Sequence, residues 1–391
     1  MSLELRTLGD HIELVSGPAF KSAQFTENTD DIPLIKGENI AQGYIAWEKS
    51  RYWPSSELKK YERFHLHAGD IVLAMDRPWI PAGLKWSEIQ ERDPLCLLVQ
   101  RVARLRAGET LHQRFLKYLI ASKDFSEYIK NLMGGTNVPH ISGKQIKAYR
   151  FPLPDLPTQE RIAGVLSAYD DLIENNRRRI ALLEQAARLL YREWFVHFRF
   201  PGSETTKFVD GLPEGWERRP ISEIWDISYG KNLPKTKITE TGRYPVHGAD
   251  GIIGYFEKEN VSESMCLVTC RGNGSGNVRR TFGPTFVTNN CFVFRPKHKA
   301  EGIRFHFAMN ACETLKMQDM RTGAAQPQLT LAGISHVNSI VPEDDALQFY
   351  NEIADPIWSE ADNLRRQNNK LAKARDLLLP RLMDGRLPIP E

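Results

Sequence analysis

The chain repeats itself, and this duplication limits the folds it can adopt more than any other feature. Residues 135–154, GTNVPHISGKQIKAYRFPLP, align without a gap with residues 323–342, GAAQPQLTLAGISHVNSIVP, at a shift of 188 residues. The same shift aligns Leu183 with Leu371 and Leu190 with Leu378. One ungapped shift spans roughly 75 residues, so we interpret it as a true repeat of one structural unit. The alternative is chance similarity between segments marked by Gly and Pro.

The two copies diverge in their interiors. Residues 8–17, LGDHIELVSG, resemble residues 221–230, ISEIWDISYG, but here the shift is 213 residues. The shift therefore falls by 25 residues within each half, from 213 to 188. The first copy has about that many extra residues in its middle. A common frame with divergent interiors is expected of two related domains that recognise different targets.

A long helix is predicted after each copy. Residues 159–198 place apolar side chains at three- and four-residue steps, and Thr158 is the predicted N-cap after Pro157. The second helix is predicted over about 346–383, and Pro380 and Gly385 mark its end. The backbone must adjust near Pro356, because proline lacks the N–H that a helix interior uses. The predicted stripe residues are Ile162, Leu166, Tyr169, Ile173, Ile180, Leu183, Ile353, Ile357, Leu364, Leu371 and Leu378.

These two stripes can bury each other as an antiparallel coiled coil. Asn176 and Asn368 lie on the stripes, where a polar residue sets the register of paired helices. A helix of about 40 residues is roughly 60 Å long at ~1.5 Å per residue. In the alternative arrangement, each helix packs only on its own domain.

The segments before the helices predict mixed domains. Short apolar runs between Gly-marked turns, such as GDIVLAM and SMCLVTCRG, indicate strands, and 112–131 and 303–320 indicate helices. The predicted fold class is α+β, with two pseudo-symmetric target-recognition domains separated by an antiparallel two-helix coiled coil. The expected boundaries are 1–156 and 201–345 for the domains, and 157–200 and 346–391 for the helices.

Composition excludes several classes of protein. No stretch of 18 apolar residues is present, and the first residues, MSLELRTLGDHIEL, lack the apolar core of a secretory signal, so a cytoplasmic location is expected. The five cysteines are irregularly spaced, which favours buried reduced thiols over a metal site. The net charge of +3 is too small to establish nucleic-acid binding by itself.

A search for catalytic motifs is negative. The sequence contains no phosphate-binding GxxxxGK[ST] loop, no HExxH and no GxSxG. A GxGxxG pattern begins at Gly272 but has Asn277 in its third glycine position. We therefore expect a binding protein with no catalytic residue, metal or cofactor of its own.

DNA recognition needs cationic and amide side chains on loops that enter a groove. Such residues are concentrated at matched positions of the repeat and in two acid-free basic loops, 229–237 and 268–281. For each of them the alternative is a solvated turn residue. The candidates in the first half are Lys21, Lys36, Asn39, Gln42, Arg77, Asn137 and His140. The candidates in the second half are Lys231, Lys235, Lys237, His247, Arg271, Asn273, Ser275, Asn277, Arg279, Arg280, Arg321, Gln326 and Gln328.

Four motifs resemble those of a known family, the specificity subunits of type I restriction–modification systems. They are LPxGW at 212–216, PLPxLPTQERIAxxL at 152–166, LLYREWFVHFRFPG at 189–202, and LLPRLMDGRL at 378–387. The duplication with a divergent interior is also the plan of this family. One departure is Thr158-Gln159-Glu160 after Pro157, where the family has PEQ.

The resemblance implies a division of labour. Each domain would recognise half of a bipartite sequence in double-stranded DNA, and the helices would fix the spacer. Two methylation subunits with S-adenosylmethionine would dock on the helices, and motor-nuclease subunits that use ATP and magnesium would complete the assembly. A competing interpretation is a non-enzymatic interaction scaffold, or a decoy of a restriction complex, which salt-dependent DNA binding would distinguish.

Overall fold

The computed structural model describes residues 4–80, 83–132, 140–297, 302–323 and 326–387. They form two compact units. Unit 1 comprises the described residues up to Glu174 and those from Asn368 onward, and unit 2 comprises those from Asn175 to Gln367. The division passes through both long helices, so each unit contains a β-rich domain and one segment of each long helix.

Unit 1 is built from short strands and three short helices. Its strands are β1 Leu5–Thr7, β2 Ile12–Ser16, β3 Ile32–Ile35, β4 Arg51–Trp53, β5 His65–Leu66, β6 Ile71–Ala74, β7 Trp79–Ile80, β8 Gly83–Leu84, β9 Trp86–Glu88, β10 Cys96–Leu98, β11 Val102–Ala107 and β12 Arg150–Pro152. Its short helices are α1 Gln113–Ala121, α2 Lys123–Leu132 and α3 Gly143–Lys147. The main sheet has the order β2-β11-β6-β9 and the second sheet has the order β4-β3-β10-β5.

The first long helix, α4, spans Leu156–Phe195 and passes from unit 1 into unit 2. Unit 2 then contains β13 Phe208–Val209, β14 Leu212–Pro213, β15 Glu217–Pro220, α5 Ile221–Ile224, β16 Trp225–Tyr229, β17 Tyr244–Gly248, β18 Gly251–Phe256, β19 Cys266–Thr269, β20 Val278–Arg280, β21 Phe286–Val287, β22 Cys291–Pro296, α6 Phe305–Thr314, α7 Leu331–Ile334 and β23 Asn338–Val341. The second long helix, α8, spans Asp344–Met383.

The two units share one topology. The main sheet of unit 2, β16-β22-β19-β20, repeats the strand order of unit 1. A second sheet follows in each unit, with one parallel pair, β3 with β10 and β17 with β21. In unit 1 the first strand pairs with the last, β1 with β12, and in unit 2 the strand after the β13–β14 hairpin pairs with the last, β15 with β23. The other pairs are antiparallel, which confirms the predicted α+β domains.

Two local features explain why the repeated motifs give the same backbone. The Ser142 hydroxyl caps α3 and the Thr330 hydroxyl caps α7, one from each copy of the repeat. Gly17 and Gly230 each lie against backbone of the second sheet. A Cβ on Gly17 would be 2.4 Å from the carbonyl carbon of Val99, and one on Gly230 would be 2.3 Å from the carbonyl oxygen of Thr288. Only glycine fits at either position.

The main sheet of unit 1 is buried on both faces. Ile71 and Leu73 of β6 face the helices, and Val72 and Ala74 face the second sheet. This period of two explains why the sequence IVLA is apolar throughout. In unit 2, Val268 of β19 faces the helices in the same way.

Two segments that are each predicted to form a single helix are divided in the structure. The 112–131 segment forms α1 and α2, because the Ser122 hydroxyl accepts a hydrogen bond from the Phe125 N–H and caps the second helix. In the 303–320 segment α6 ends at Thr314, and a 3₁₀ turn follows over Met317–Met320. Lys316 between them has a φ of 48°, which ends the α-helical path.

Within each unit, the segments of α4 and α8 pack antiparallel. In unit 1, Asn368 Nδ2 donates to the carbonyl oxygen of Ile173, and Arg375 pairs with Asp170, which is earlier in α4. In unit 2, Ile180 packs against Ala361 and Leu364. Each segment also packs on the domain of its own unit, so both arrangements considered for the stripes are present.

Most predicted stripe residues face the core. Ile162, Leu166, Ile173, Ile180 and Leu364 are buried. Tyr169, Leu183, Ile357, Leu371 and Leu378 are half-buried. The assignment of Ile353 to the stripe is wrong, because this side chain is 38% exposed.

The aromatic side chains explain this error. In unit 2 the buried face of α8 follows Tyr350, Ala354 and Trp358, and Ile353 lies about 100° around the helix from Ala354.

The predicted helix ends also need correction. The carboxylate of Asp155 accepts a hydrogen bond from the Thr158 N–H, so Asp155 and not Thr158 caps α4. Pro157 lies in the first turn, where its missing N–H costs nothing. Helix α8 continues through Pro356 and Pro380 to Met383, so neither proline ends it.

Three further expectations can be compared with the structure. All five cysteines are buried free thiols, as predicted. No helix in the described ranges is both long and apolar enough to cross a lipid bilayer. Asn137, together with the repeat markers Gly135 and Pro139, lies outside the described residues.

Candidate DNA interface

The two units place different side chains at one matched position. Asp76 follows β6 by two residues and forms an isolated antiparallel bridge with His140. Arg271 follows β19 by two residues and forms the same bridge with Gln328. His140 and Gln328 are themselves related by the 188-residue shift. The backbone bridge is therefore the same in both units, but its side chains differ. Unit 1 has a carboxylate and an imidazole there, and unit 2 has a guanidinium and an amide.

In unit 1, Asp76 organises this position. Its carboxylate accepts hydrogen bonds from Arg101 Nη1 at 2.6 Å and from His140 Nδ1 at 2.5 Å. Arg77 and Arg101 both have left-handed backbone, with φ values of 43° and 65°. Such backbone is rare for residues other than glycine and concentrates at functional sites. Both arginine side chains are exposed.

A second loop of unit 1 is fixed by Asn39. Its amide donates to the carbonyl oxygen of Leu34 and accepts from the Lys36 N–H, so the side chain is fully buried. Lys36 on this turn pairs with Glu38 at 2.6 Å. Lys21 and Gln42 are exposed. Asn39 therefore positions the loop and has no free edge for DNA.

In unit 2, the Gly-rich loop is fixed by Ser275. Its buried hydroxyl bonds to the carbonyl oxygens of Gly272 and Pro327 at 2.6 and 2.9 Å. This contact joins the loop to the segment of Gln326 and Gln328, which are exposed. Ser275 is thus a structural residue, like Asn39 in unit 1.

Arg271 is exposed beside this loop. Its guanidinium lies 5.9 Å from the centre of the exposed Tyr229 ring, a distance at which a cation is attracted to an aromatic face. The remaining exposed candidates of unit 2 are Lys231, Lys235, Lys237, Asn273 and Arg321.

Two candidates line a surface cavity of about 470 Å³ in unit 2. Asn277 accepts a hydrogen bond from Gln318 Nε2 at 2.8 Å. Arg279 donates to the carbonyl oxygen of Ala249 at 3.1 Å. Both side chains are half-buried, so they present polar groups from the wall of the cavity.

His247 and Arg280 are buried. Burial lowers the pKa of His247 to about 4, and the nearby Arg279 contributes to the shift, so the imidazole is neutral at physiological pH. Arg280 is 4% exposed and binds the carboxylate of Asp362 on α8. Neither side chain can meet DNA in this conformation, and together with Asn39 and Ser275 they correct the predicted set of contacts.

Sequence reasoning missed Lys85, Asp76 and Arg101. Lys85 is 8% exposed and lies beside Asp76. Asp76 is an acid, and the residue types expected at a DNA surface are cations and amides. The only signal in the sequence is its position two residues after a strand that matches the strand before Arg271.

The geometry defines a class of protein: a duplicated binding protein whose two domains share a fold and differ in the polar groups at their loop ends. The family model described as "Type I restriction modification DNA specificity domain" matches residues 2–185 and 213–370. The chain therefore belongs to this family. The family is non-catalytic, and the chain is the DNA specificity subunit of a type I restriction–modification system.

Individual relatives agree with this assignment. The chain is 27% identical over 300 residues to the type I restriction enzyme MjaIX specificity subunit of Methanocaldococcus jannaschii, covering 71% of this chain and 69% of the relative. It is 37% identical over 169 residues to the EcoAI specificity subunit of Escherichia coli, covering 43% of this chain and 28% of that one.

A solved structure supports the fold. A type I restriction–modification S subunit from M. genitalium matches with a TM-score of 0.55 and 19% identity, covering 99% of this chain and 96% of that one.

Proposed function

We propose that each unit recognises one half of a bipartite target in double-stranded DNA. The observation that carries this proposal is the matched pair of bridges, Asp76 with His140 and Arg271 with Gln328, which present different chemistry on one frame. Exchanging donors and acceptors on a constant backbone is how a major-groove surface changes the base pair it prefers.

The candidates whose side chains are exposed or half-buried are the proposed DNA contacts. Cations there supply affinity for phosphates, and amides and the Arg271 fork supply base discrimination. The proposed contacts in unit 1 are Lys21, Lys36, Gln42, Arg77 and His140. The proposed contacts in unit 2 are Lys231, Lys235, Lys237, Arg271, Asn273, Asn277, Arg279, Arg321, Gln326 and Gln328.

The long helices are the proposed docking sites for two methylation subunits. Both helices carry exposed leucines that nothing in their own unit covers: Leu172, Leu182 and Leu189 on α4, and Leu377 on α8. Exposed apolar side chains on a helix are typical of an interface with a partner. In this proposal the methylation subunits bind S-adenosylmethionine, the motor-nuclease subunits use ATP and magnesium, and the complex acts in the cytoplasm of a prokaryote.

Domain exchange tests the proposal. Residues 1–174 are replaced by the corresponding segment of another specificity subunit, and methylated bases are mapped across the host genome. The replaced segment ends at Glu174 so that Asp170 and Glu174 keep their partners Lys117 and Arg92. The expected result is that one half-site changes and the other is retained. A change in both half-sites, or in neither, contradicts the proposal.

Helix length tests the spacer. One helical turn, about four residues, is inserted after Glu174 in α4 and again before Asn368 in α8, at the division between the units. This keeps the helix pairing inside each unit intact. We expect the spacer to lengthen by about one or two base pairs, since a turn rises ~5.4 Å and a base pair ~3.4 Å. Retention of the parental spacer would show that the helices do not set it.

A further inference from the structure

Unit 1 buries a lysine directly beneath its proposed DNA-contacting loops. Lys85 lies between β8 and β9 and is only 8% exposed. Its backbone is fixed on both sides, since its N–H donates to the carbonyl oxygen of Pro78 at 2.7 Å and its carbonyl accepts from the Ala74 N–H at 3.0 Å. The ammonium ends 3.8 Å from where a Cβ on Gly37 would be, so it reaches the floor of the loop that Asn39 holds in place.

The carboxylates near Lys85 already have other partners. Asp76 binds Arg101 and His140, and Glu38 binds Lys36. Among the described residues no carboxylate forms an ion pair with Lys85. Burial lowers the pKa of Lys85, and the neighbouring Arg77 lowers it further, while the charges of Asp76 and Glu38 raise it by less.

The Lys85 side chain is largely buried, and among the described residues its ammonium makes no hydrogen bond. Asp76 and Glu38 offset the cost of burying this charge only in part, because the pKa stays lowered. Retaining this charge beside a cluster of exposed cations favours a role with a ligand that supplies the missing negative charge. Arg77, whose charge acts on Lys85, is exposed, and so is Arg101, which pairs with Asp76. An anion approaching the loops therefore meets positive charge at the surface and again at Lys85.

We propose that Lys85 binds a phosphodiester of the DNA backbone that approaches the Gly37 and Asp76 loops. A recessed point charge suits a phosphate, which projects from the duplex. A base edge lies deep in a groove and requires a protruding side chain. This inference rests on the proposed function, because it assumes that these loops face DNA.

The test uses the full-length chain with Lys85→Met, which removes the charge and keeps the length of the side chain. Lys123→Met is the matched control, since Lys123 is exposed on α2 in the same unit and pairs with Glu127. Binding to a 30-base-pair duplex of arbitrary sequence is measured from about 0.05 to 0.2 M salt. Thermal unfolding is measured on both variants.

We expect Lys85→Met to weaken binding about tenfold and to reduce the slope of log K against log salt by about 0.9, as for one lost phosphate contact. Its melting temperature should stay the same or rise, because an unpaired buried charge is gone, whereas a purely structural lysine would lower it. The control should match the parent.

Three outcomes overturn the inference: parental DNA binding, a fall in melting temperature that accounts for the lost binding, or an unchanged salt slope with a new methylated sequence in the genome, which would make Lys85 a base contact. Failure of the parent chain to bind DNA would instead refute the proposed function.

Discussion

The two units attach their domains to the long helices at the same place but with opposite chemistry. Glu88 and Arg280 are the last residues of the matched edge strands β9 and β20. In unit 1, Lys117 of α1 bridges Glu88 at 3.1 Å and Asp170 of α4 at 3.2 Å. In unit 2 the residues related to Lys117 and Asp170 by the 188-residue shift are Phe305 and Trp358.

These aromatic side chains surround Arg280. Its guanidinium lies 4.6 Å from the ring centre of Trp358, 5.2 Å from that of Phe305 and 4.5 Å from that of Phe282, and it binds Asp362. Glu88 at the strand end in unit 1 is thus replaced by Arg280 in unit 2, and the ionic network around Lys117 is replaced by aromatic rings. We call this contact between edge strand, short helix and long helix the joint of each unit. The shared fold fixes its position, and the charges that stabilise it differ between the units.

Asp170 should be the more sensitive of the two joints. Besides Lys117 it binds Tyr118 and Arg375, so Asp170→Asn leaves two half-buried cations without their shared carboxylate. We expect a loss of about 4 kcal/mol, typical of breaking a buried pair. Asp362→Asn should cost about half as much, because cation–π contacts worth about 2 kcal/mol remain around Arg280.

Hydrogen exchange in peptides of each unit, with denaturant unfolding, measures both changes. Asp171→Asn is the control, since this neighbouring carboxylate is exposed. Equal losses at Asp170 and Asp362 would show that the rings contribute nothing to the joint of unit 2.

The second largest difference between the units is expected in how their stability depends on pH. The pKa of His247 is lowered to about 4 in the folded chain by burial and by Arg279, against 6.5 for an exposed imidazole. The unfolded chain therefore binds the proton more readily between these values, and stability falls as the pH drops from about 6.5 to 4. The maximum loss is about 3 kcal/mol.

In unit 1, the pKa of Asp170 is raised by burial but lowered more by Lys117 and Arg375, so its folded value lies below 3.8. Its contribution is present above that pH and is lost only below it. Hydrogen exchange at pH 7, 5.5 and 4.5 should show unit 2 opening first. His247→Gln should flatten this dependence, and an unchanged profile in that variant would assign the acid sensitivity elsewhere.

The smallest effect is expected at the loop ends. Arg271→Ala should cost about 2 kcal/mol of discrimination at one base pair of the half-site recognised by unit 2, and Asp76→Ala should alter only the half-site of unit 1. Methylation mapping of both variants checks this assignment. If Arg271→Ala weakens binding to all sequences equally, its contact is with a phosphate.

The joints also indicate where natural exchange of specificity can occur. Glu88 and Lys117 lie in the first domain, but their partner Asp170 lies in α4, beyond the predicted domain end at 156. A recombination point between 157 and 170 would combine Glu88 and Lys117 of one parent with the residue that the other parent has at position 170. Breakpoints after Glu174 keep Glu88, Lys117 and Asp170 in one segment, and of these contacts only the pair of Asp170 with Arg375 crosses the break.

The sequence predicted the frame well because the frame depends on local, repeated signals. The shift of 188 residues placed Ser142 and Thr330 as matching residues, and both are helix caps in the structure. The strand IVLA and the long helices follow from apolar periodicity alone. Aliphatic spacing alone misplaces the stripe at Ile353, because the buried face of α8 in unit 2 follows the aromatic Tyr350 and Trp358.

The site was less predictable because composition does not reveal burial. Ser275 and Arg280 stand in the same basic loop as Asn273 and Arg279, and only tertiary contacts with Pro327 and Asp362 separate them. Lys85 lies between the short strands β8 and β9, with no motif around it. Lys85 stands out only because Asp76 and Glu38 pair with other cations, Arg101 and Lys36. The sequence does not show these pairings, because they depend on tertiary structure and on side-chain conformation.

The buried thiols make this chain well suited to site-specific labelling. Burial raises the pKa of Cys96 and Cys270 to about 12 and that of Cys291 to about 11, and Cys266 and Cys312 are fully buried. Maleimides react with the thiolate, so these native positions stay silent at neutral pH. A cysteine introduced at an exposed site in each unit would carry a fluorophore without any background substitution, and the distance between the units could be followed as DNA binds.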